Sequence, residues 1–252
     1  MASAPLILVL AALEAELSLL LTHLRDAAPC DESPRATRGS LAAQPVVVAL
    51  TGIGKVAAAL TAATLIERHR PRAVLFTGLA GSLSPRLRVG DVVIARRFIQ
   101  HDLDASPLFP RFEVPLTGLA WFEADPAWSE RMFEAAVRAV ASLDADARAA
   151  LAALGAGEPR VSPGNVATGD VFVTSGAARD AVRARVPEAD CVEMEGAAVA
   201  QVCHARGLPF AACRVISDAA DDSAPADFQA FITRVESRVT SAVLLGAFAA
   251  PS

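Results

Sequence analysis

Two short acidic stretches carry the residue types that proton-transfer chemistry needs. In Val192-Glu193-Met194-Glu195-Gly196, two glutamates stand where a buried apolar run gives way to a helical pattern. A carboxylate near a core costs free energy unless it has a partner or a task. The alternative is that both glutamates decorate a helix N-terminus, worth roughly a few tenths of a kcal/mol through the helix dipole. The motif alone leaves both readings open. In Arg214-Val215-Ile216-Ser217-Asp218, the most apolar run of the chain ends in an arginine, a serine and an aspartate. If this run is a strand, Arg214 and Ile216 face one way, and Val215 and Ser217 the other. Asp218 is then either a functional acid or the N-cap of whatever follows.

Two small-residue turns also follow apolar runs. Thr51-Gly52-Ile53-Gly54-Lys55 opens a helical pattern but does not match the phosphate-loop spacing, since Val56 follows the lysine. It reads as a tight strand-to-helix turn. In Thr77-Gly78-Leu79-Ala80-Gly81-Ser82, small residues let backbone amides approach a ligand, and ligands collect at the carboxyl ends of parallel strands. Such turns are common, so the signal is weak by itself. His101-Asp102-Leu103-Asp104 offers metal-ligand types but has no second histidine or cysteine cluster nearby, and no metal is expected.

The elements that must position these residues are legible from periodicity. Short, unalternating apolar runs at 6–10, 46–50, 73–77, 91–95, 164–167, 190–192 and 210–216 suit strands buried on both faces. Helical patterns lie at 14–25, 55–68, 129–143, 176–185, 194–206 and 227–248. Pro71, Pro187 and Pro209 stand just past helical segments and before strands, as stop signals. This alternation predicts an α/β protein: a three-layer α/β/α domain spanning residues 1–252, with a central mixed, mostly parallel twisted sheet. The stretches 102–119 and 155–163 lack periodicity and read as loops, the first long enough to be functional.

Composition narrows the function classes. Just over half of the 252 residues are apolar, enough for a sizeable core. The net charge of −5 shows no basic stripe, which argues against nucleic acid as a partner. The four cysteines include no CxxC pair and three sit in apolar runs, which suits a reducing compartment. No basic residue precedes the apolar run at 6–10, and Glu14 and Glu16 follow it, so an export signal is not expected. No apolar stretch approaches the ~20 residues of a membrane span. The expectation is a soluble, cytoplasmic protein.

Taken in order, these pieces resemble the 5′-methylthioadenosine/S-adenosylhomocysteine nucleosidases of the nucleoside phosphorylase superfamily. The resemblance rests on Ala12-Leu13-Glu14-Ala15-Glu16, Gly52-Ile53-Gly54-Lys55-Val56-Ala57, Thr77-Gly78-Leu79-Ala80-Gly81, Val89-Gly90-Asp91, Thr168-Gly169-Asp170-Val171-Phe172, Val192-Glu193-Met194-Glu195 and the Arg214–Asp218 stretch. It implies a nucleoside phosphorylase-like fold and hydrolysis of an adenine nucleoside without any cofactor. Asp218 would protonate the departing adenine, with Ser217 orienting it. An apolar pocket can keep such a carboxyl protonated near neutral pH. Glu195 and the backbone of Met194 would hold the 2′- and 3′-hydroxyls as the sugar becomes oxocarbenium-like. Glu16, with Arg214 alongside, would bind and deprotonate the attacking water. Phe172 would stack on adenine, the backbone of Phe172 and Val173 would read its edge, and Phe228 would close the pocket. Leu79, Ala80 and Gly81 would line it.

The resemblance implies a homodimer whose neighbouring subunit helps shape the pocket for the 5′-substituent. The chain departs from the pattern at Leu79, where bacterial members often carry a serine that helps hold the water. Either Glu16 and Arg214 hold the water alone, or the site is tuned to another nucleoside. The 101–119 segment also differs from that of the best-known bacterial members.

Two other enzyme readings stay open. A purine nucleoside phosphorylase needs cationic or amide donors for phosphate. Glu14 and Glu16 would repel that anion, and Arg35 and Arg38, in an early loop, read as surface charges. A hydrolase of another purine nucleoside, such as futalosine, uses similar parts. A binding protein without turnover would be expected to have lost Glu16, Glu195 or Asp218, and all three are present.

Overall fold

The computed structural model describes residues 5–31, 33–154, 156–220 and 237–249. The strands are β1 (Ile7–Ala11), β2 (Arg25–Cys30), β3 (Ser33–Leu41), β4 (Gln44–Leu50), β5 (Ala73–Phe76), β6 (Leu79–Ser82), β7 (Val92–Gln100), β8 (Trp121–Glu123), β9 (Val161–Thr168), β10 (Cys191–Glu193) and β11 (Phe210–Asp218). The helices are α1 (Glu14–Thr22), α2 (Lys55–His69), α3 (Pro126–Ala141), α4 (Ala145–Ala153), α5 (Gly176–Arg185), α6 (Gly196–Ala205) and α7 (Ser237–Phe248).

The strands form one mixed sheet in the order β2-β3-β4-β1-β5-β11-β6-β10-β9-β7-β8. Its centre, β4-β1-β5-β11, is parallel, and antiparallel pairs flank it. Helices cover both faces, as the unalternating apolar strands require. Along β1, Ile7, Val9 and Ala11 pack with α1, α3 and α7, while Leu8 and Leu10 face α2 and α6.

Past β11 the sheet curls. β7 pairs not only with β9 and β8 but also, antiparallel, with β11 through Cys213, Arg214 and Val215. The sequence β11-β6-β10-β9-β7 therefore closes on itself as a small ring. β11 belongs to both the open parallel half and this ring, and it carries Arg214, Ser217 and Asp218.

Several elements differ from the periodicity reading. The β2–β3 hairpin was not expected, because β2 is largely exposed and lacks an apolar run. Arg35 and Arg38 lie on β3 rather than in a loop. Leu79–Ser82 is a short strand as well as a turn, and β8 has three residues, too few for a period to register. The Ala-rich α4 fills part of the region left unassigned, and β9 begins at Val161, inside the stretch read as a loop. Residues 227–236 of the expected last helix lie outside the described residues.

Candidate active site

Asp218 ends β11, fully buried. Regular alternation would send Ser217 and Asp218 to opposite faces. The pairing of β11 with β6 instead slips between Ile216 and Asp218, so that Ile216 faces Ala80 and Asp218 faces Gly81. This bulge turns both side chains to one cavity, a use of bulges common at functional sites. The Ser217 hydroxyl donates to Asp218 Oδ2 at 2.6 Å, and the Ala220 amide donates to Oδ1 at 2.8 Å. Gly81 makes the approach feasible, since a Cβ there would come within 3.0 Å of Asp218 Oδ1.

The two glutamates of the β10–α6 turn divide the two roles left open by the motif. Glu193 serves the helix end: its Oε2 accepts from the amides of Glu195 (3.2 Å) and Gly196 (2.7 Å). The same oxygen accepts from Arg214 Nη2 at 2.8 Å, and Oε1 accepts from the Thr168 hydroxyl. Thr168 Oγ1 in turn accepts from the Ala197 amide at 2.8 Å. A buried arginine–carboxylate pair persists only when its remaining polar atoms are satisfied, and these bonds do that. Arg214 also donates to the Cys213 carbonyl and stacks on the Phe76 ring.

Glu195 is thereby released from capping. Its Oε1 accepts from the Gly54 amide at 2.8 Å, across from the β4–α2 turn. Burial and the nearby Glu193 charge push its pKa up to about 8, against the Gly54 hydrogen bond and the Arg214 charge.

Glu16 is fixed by the turn out of β1. Its Oε2 accepts from the amides of Ala12 (2.8 Å) and Leu13 (2.9 Å), and its Oε1 from the Leu79 amide at 3.2 Å. Gly78 leaves room for it, since a Cβ there would lie 2.9 Å from Oε1. Burial raises the Glu16 pKa, opposed by the Leu13 amide and the Arg214 guanidinium. A buried carboxylate of raised basicity is suited to accept a proton.

Glu16, Glu195 and Asp218 line one cavity of about 670 Å³. Ser217, Met194, Leu79, Ala80, Gly81 and Phe172 line it too. Phe172 is half exposed at the rim. Arg214 stands behind Glu193 rather than on the lining, and acts on Glu16 and Glu195 through its charge. Val173 turns its side chain into a separate apolar cluster with Val182 and Val186. Phe228 lies outside the described residues. Among the described residues, no group of three or more His, Cys, Asp or Glu side chains is placed to hold a metal ion.

A sequence model of the phosphorylase superfamily matches residues 6–247. A 5′-methylthioadenosine/S-adenosylhomocysteine nucleosidase of Shewanella sp. (strain W3-18-1) is 36% identical over 196 residues, 78% of each chain. The chain belongs to the 5′-methylthioadenosine/S-adenosylhomocysteine nucleosidase family. A nucleosidase of this family from Neisseria meningitidis, solved with methylthio-immucillin-A, is 32% identical, with a TM-score of 0.81 over 96% of this chain and 98% of that one. The futalosine hydrolase of Helicobacter pylori is similar as well, at 29% identity and a TM-score of 0.76 over 97% of each chain.

Within this nucleosidase framework, the sequence reading did not assign roles to Glu193, Thr168 or the Gly54 amide. The type and place of Glu193 were visible at the strand-to-helix junction, but its role depends on Thr168 and Arg214 from other strands. Nothing in a linear sequence joins Gly54 to Glu195, because the bond spans 141 positions.

Proposed function

We propose that this chain hydrolyses the N-glycosidic bond of 5′-substituted adenine nucleosides, 5′-methylthioadenosine and S-adenosylhomocysteine, and releases adenine. The observation that carries the reading is the convergence of Glu16, Glu195 and Asp218 on one cavity whose volume suits a nucleoside. Asp218, oriented by Ser217, donates a proton to N7 as the C1′–N9 bond breaks, so adenine leaves neutral. Glu195 and the Met194 backbone hold the ring hydroxyls, and the Glu195 carboxylate compensates the positive charge that develops on the sugar. Glu16 takes a proton from water, whose oxygen bonds to C1′, while Arg214 stabilises the local negative charge. Phe172 stacks on the base at the rim, and Leu79 adds an apolar wall beside the water.

Such a reaction fits methionine salvage in the cytoplasm, and the four cysteines, none of them in a disulfide, agree with a reducing compartment. Among the described residues, no helix is long and apolar enough to cross a membrane. The single domain is proposed to work as a homodimer, because Ile53, Val56 and Leu60 expose an apolar strip at the start of α2, and Ile53 also lines the cavity. The likeness to a futalosine hydrolase favours one second reading, hydrolysis of that nucleoside.

The test is release of the free purine base, adenine from 5′-methylthioadenosine and S-adenosylhomocysteine and hypoxanthine from futalosine, each with and without phosphate. Phosphate-independent release of adenine is expected, and the rate with Asp218→Asn is expected to fall by roughly 10²–10⁴-fold without loss of fold. Release only with phosphate, turnover of futalosine alone, or a near-wild-type Asp218→Asn enzyme would overturn the reading.

A further inference from the structure

Three segments distant in sequence meet beside the Glu195 end of the cavity. The α2 N-terminus has no side-chain cap of its own, and Gly54, at φ 94°, turns its amide outward to Glu195. The next amide, that of Lys55, donates to Asp170 Oδ1 at 2.8 Å, in the loop that leads to Phe172. The Lys55 ammonium reaches Asp102 Oδ1 at 2.7 Å, just past β7, and lies 3.9 Å from Asp170 Oδ2. Asp102 Oδ2 completes the circuit by accepting from the Asp170 amide at 2.9 Å.

Exposed ion pairs contribute little, but this one is different in two respects. Lys55 and Asp102 are both mostly covered, with side chains 17% and 25% exposed. Each carboxylate also binds a backbone amide, so the charges fix main-chain positions rather than only each other. Burial works to raise the Asp102 pKa, yet the Lys55 ammonium and the Asp170 amide outweigh it and hold the carboxyl below its ordinary range. The loop also rests on solid ground: Gly169 sits so close to the buried His101 ring that a Cβ would come within 2.3 Å of Nε2.

We propose that Lys55, Asp102 and Asp170 form a positioning clasp that holds the Gly54 amide on Glu195 and the Phe172 segment over the same cavity. None of the three lines the cavity. They act through Glu195, which fixes the sugar, and through Phe172, which covers the base. The inference rests on the hydrolase reading for its kinetic consequence, but not for its structural one.

The experiment therefore has two arms. In the first, amide hydrogen exchange is followed by NMR in the full-length wild type, Lys55→Met and the near-isosteric Asp102→Asn. The Gly54 amide is expected to exchange roughly ten-fold faster in both variants, the scale of a weakened hydrogen bond to a charged group, while Val9 in β1 is unchanged. Unchanged Gly54 exchange, or equal acceleration at Val9, overturns the clasp. In the second arm, KM for 5′-methylthioadenosine is expected to rise roughly ten-fold in Lys55→Met with kcat changed far less. That rise is expected to shrink to less than three-fold when Glu195→Gln is already present, as coupled residues require. An equal rise in both backgrounds overturns positioning through Glu195. A wild type that releases no adenine defeats the hydrolase reading alone, and the exchange arm still decides the clasp.

Discussion

In the proposed reaction Glu195 holds the sugar as an anion, yet burial and the Glu193 charge lift its pKa from 4.5 to about 8. Near neutral pH Glu195 in the folded protein therefore retains a proton that the unfolded chain gives up. The native state binds more protons than the unfolded state across this window, so stability is full below pH 4.5 and is lost as pH rises toward about 8. Glu16, raised by burial, contributes in the same direction. The melting temperature of the ligand-free protein is expected to fall across this window by several degrees, since about 1 kcal/mol moves Tm by roughly 2–4 °C at this size. Glu195→Gln, which cannot ionise, should flatten part of that slope in a pH series of thermal melts. An identical slope in the variant would remove Glu195 as its source. Hydroxyl groups donating to Glu195 favour its charged form, so a sugar bound there would draw the site toward the anion that the proposed reaction uses.

At the scale of elements, the β11 bulge decides whether the acid points into the cavity. Gly81 lies opposite Asp218, and a Cβ there would meet both Asp218 Oδ1 and the Ala220 side chain at 3.0 Å. Gly81→Ala is expected to displace the carboxyl and lower kcat by about 10²-fold, the cost of a small misplacement of a catalytic group, with a much smaller change in melting temperature. Wild-type kcat in this variant would show that the bulge tolerates the methyl group. The sequence made the strand ends legible, because β1, β5 and β11 are buried on both faces and read as unbroken apolar runs. The bulge left no trace there, since it arises from a slip against β6, whose four residues looked like a turn. Likewise β2 and β3 escaped notice because an exposed hairpin carries no apolar period. Glu16, Glu195 and Asp218 were readable by type and order. The partition between Glu193 and Glu195 was not, because it depends on Thr168 and Arg214 arriving from other strands.

At the scale of the whole molecule, Val56 and Leu60 are 79% and 68% exposed on α2, next to Ile53 at the mouth of the cavity. An apolar strip in that place is expected to be covered by a second copy of the chain. Light scattering at micromolar concentration should give twice the 26.1 kDa chain mass, and Leu60→Glu should shift it toward one chain and weaken turnover. A wild-type monomer with full activity would count against the pairing. The ring closed by β7 and β11 has its own consequence. The strand that ends in Asp218 is also the seam joining the two halves of the sheet, bonded to β5, β6 and β7. Many enzymes place their chemistry on loops that loosen early, but here the proposed proton donor ends a strand bonded to three others. Heat or denaturant should leave no inactive yet folded intermediate: the catalyst stays intact until the architecture itself gives way.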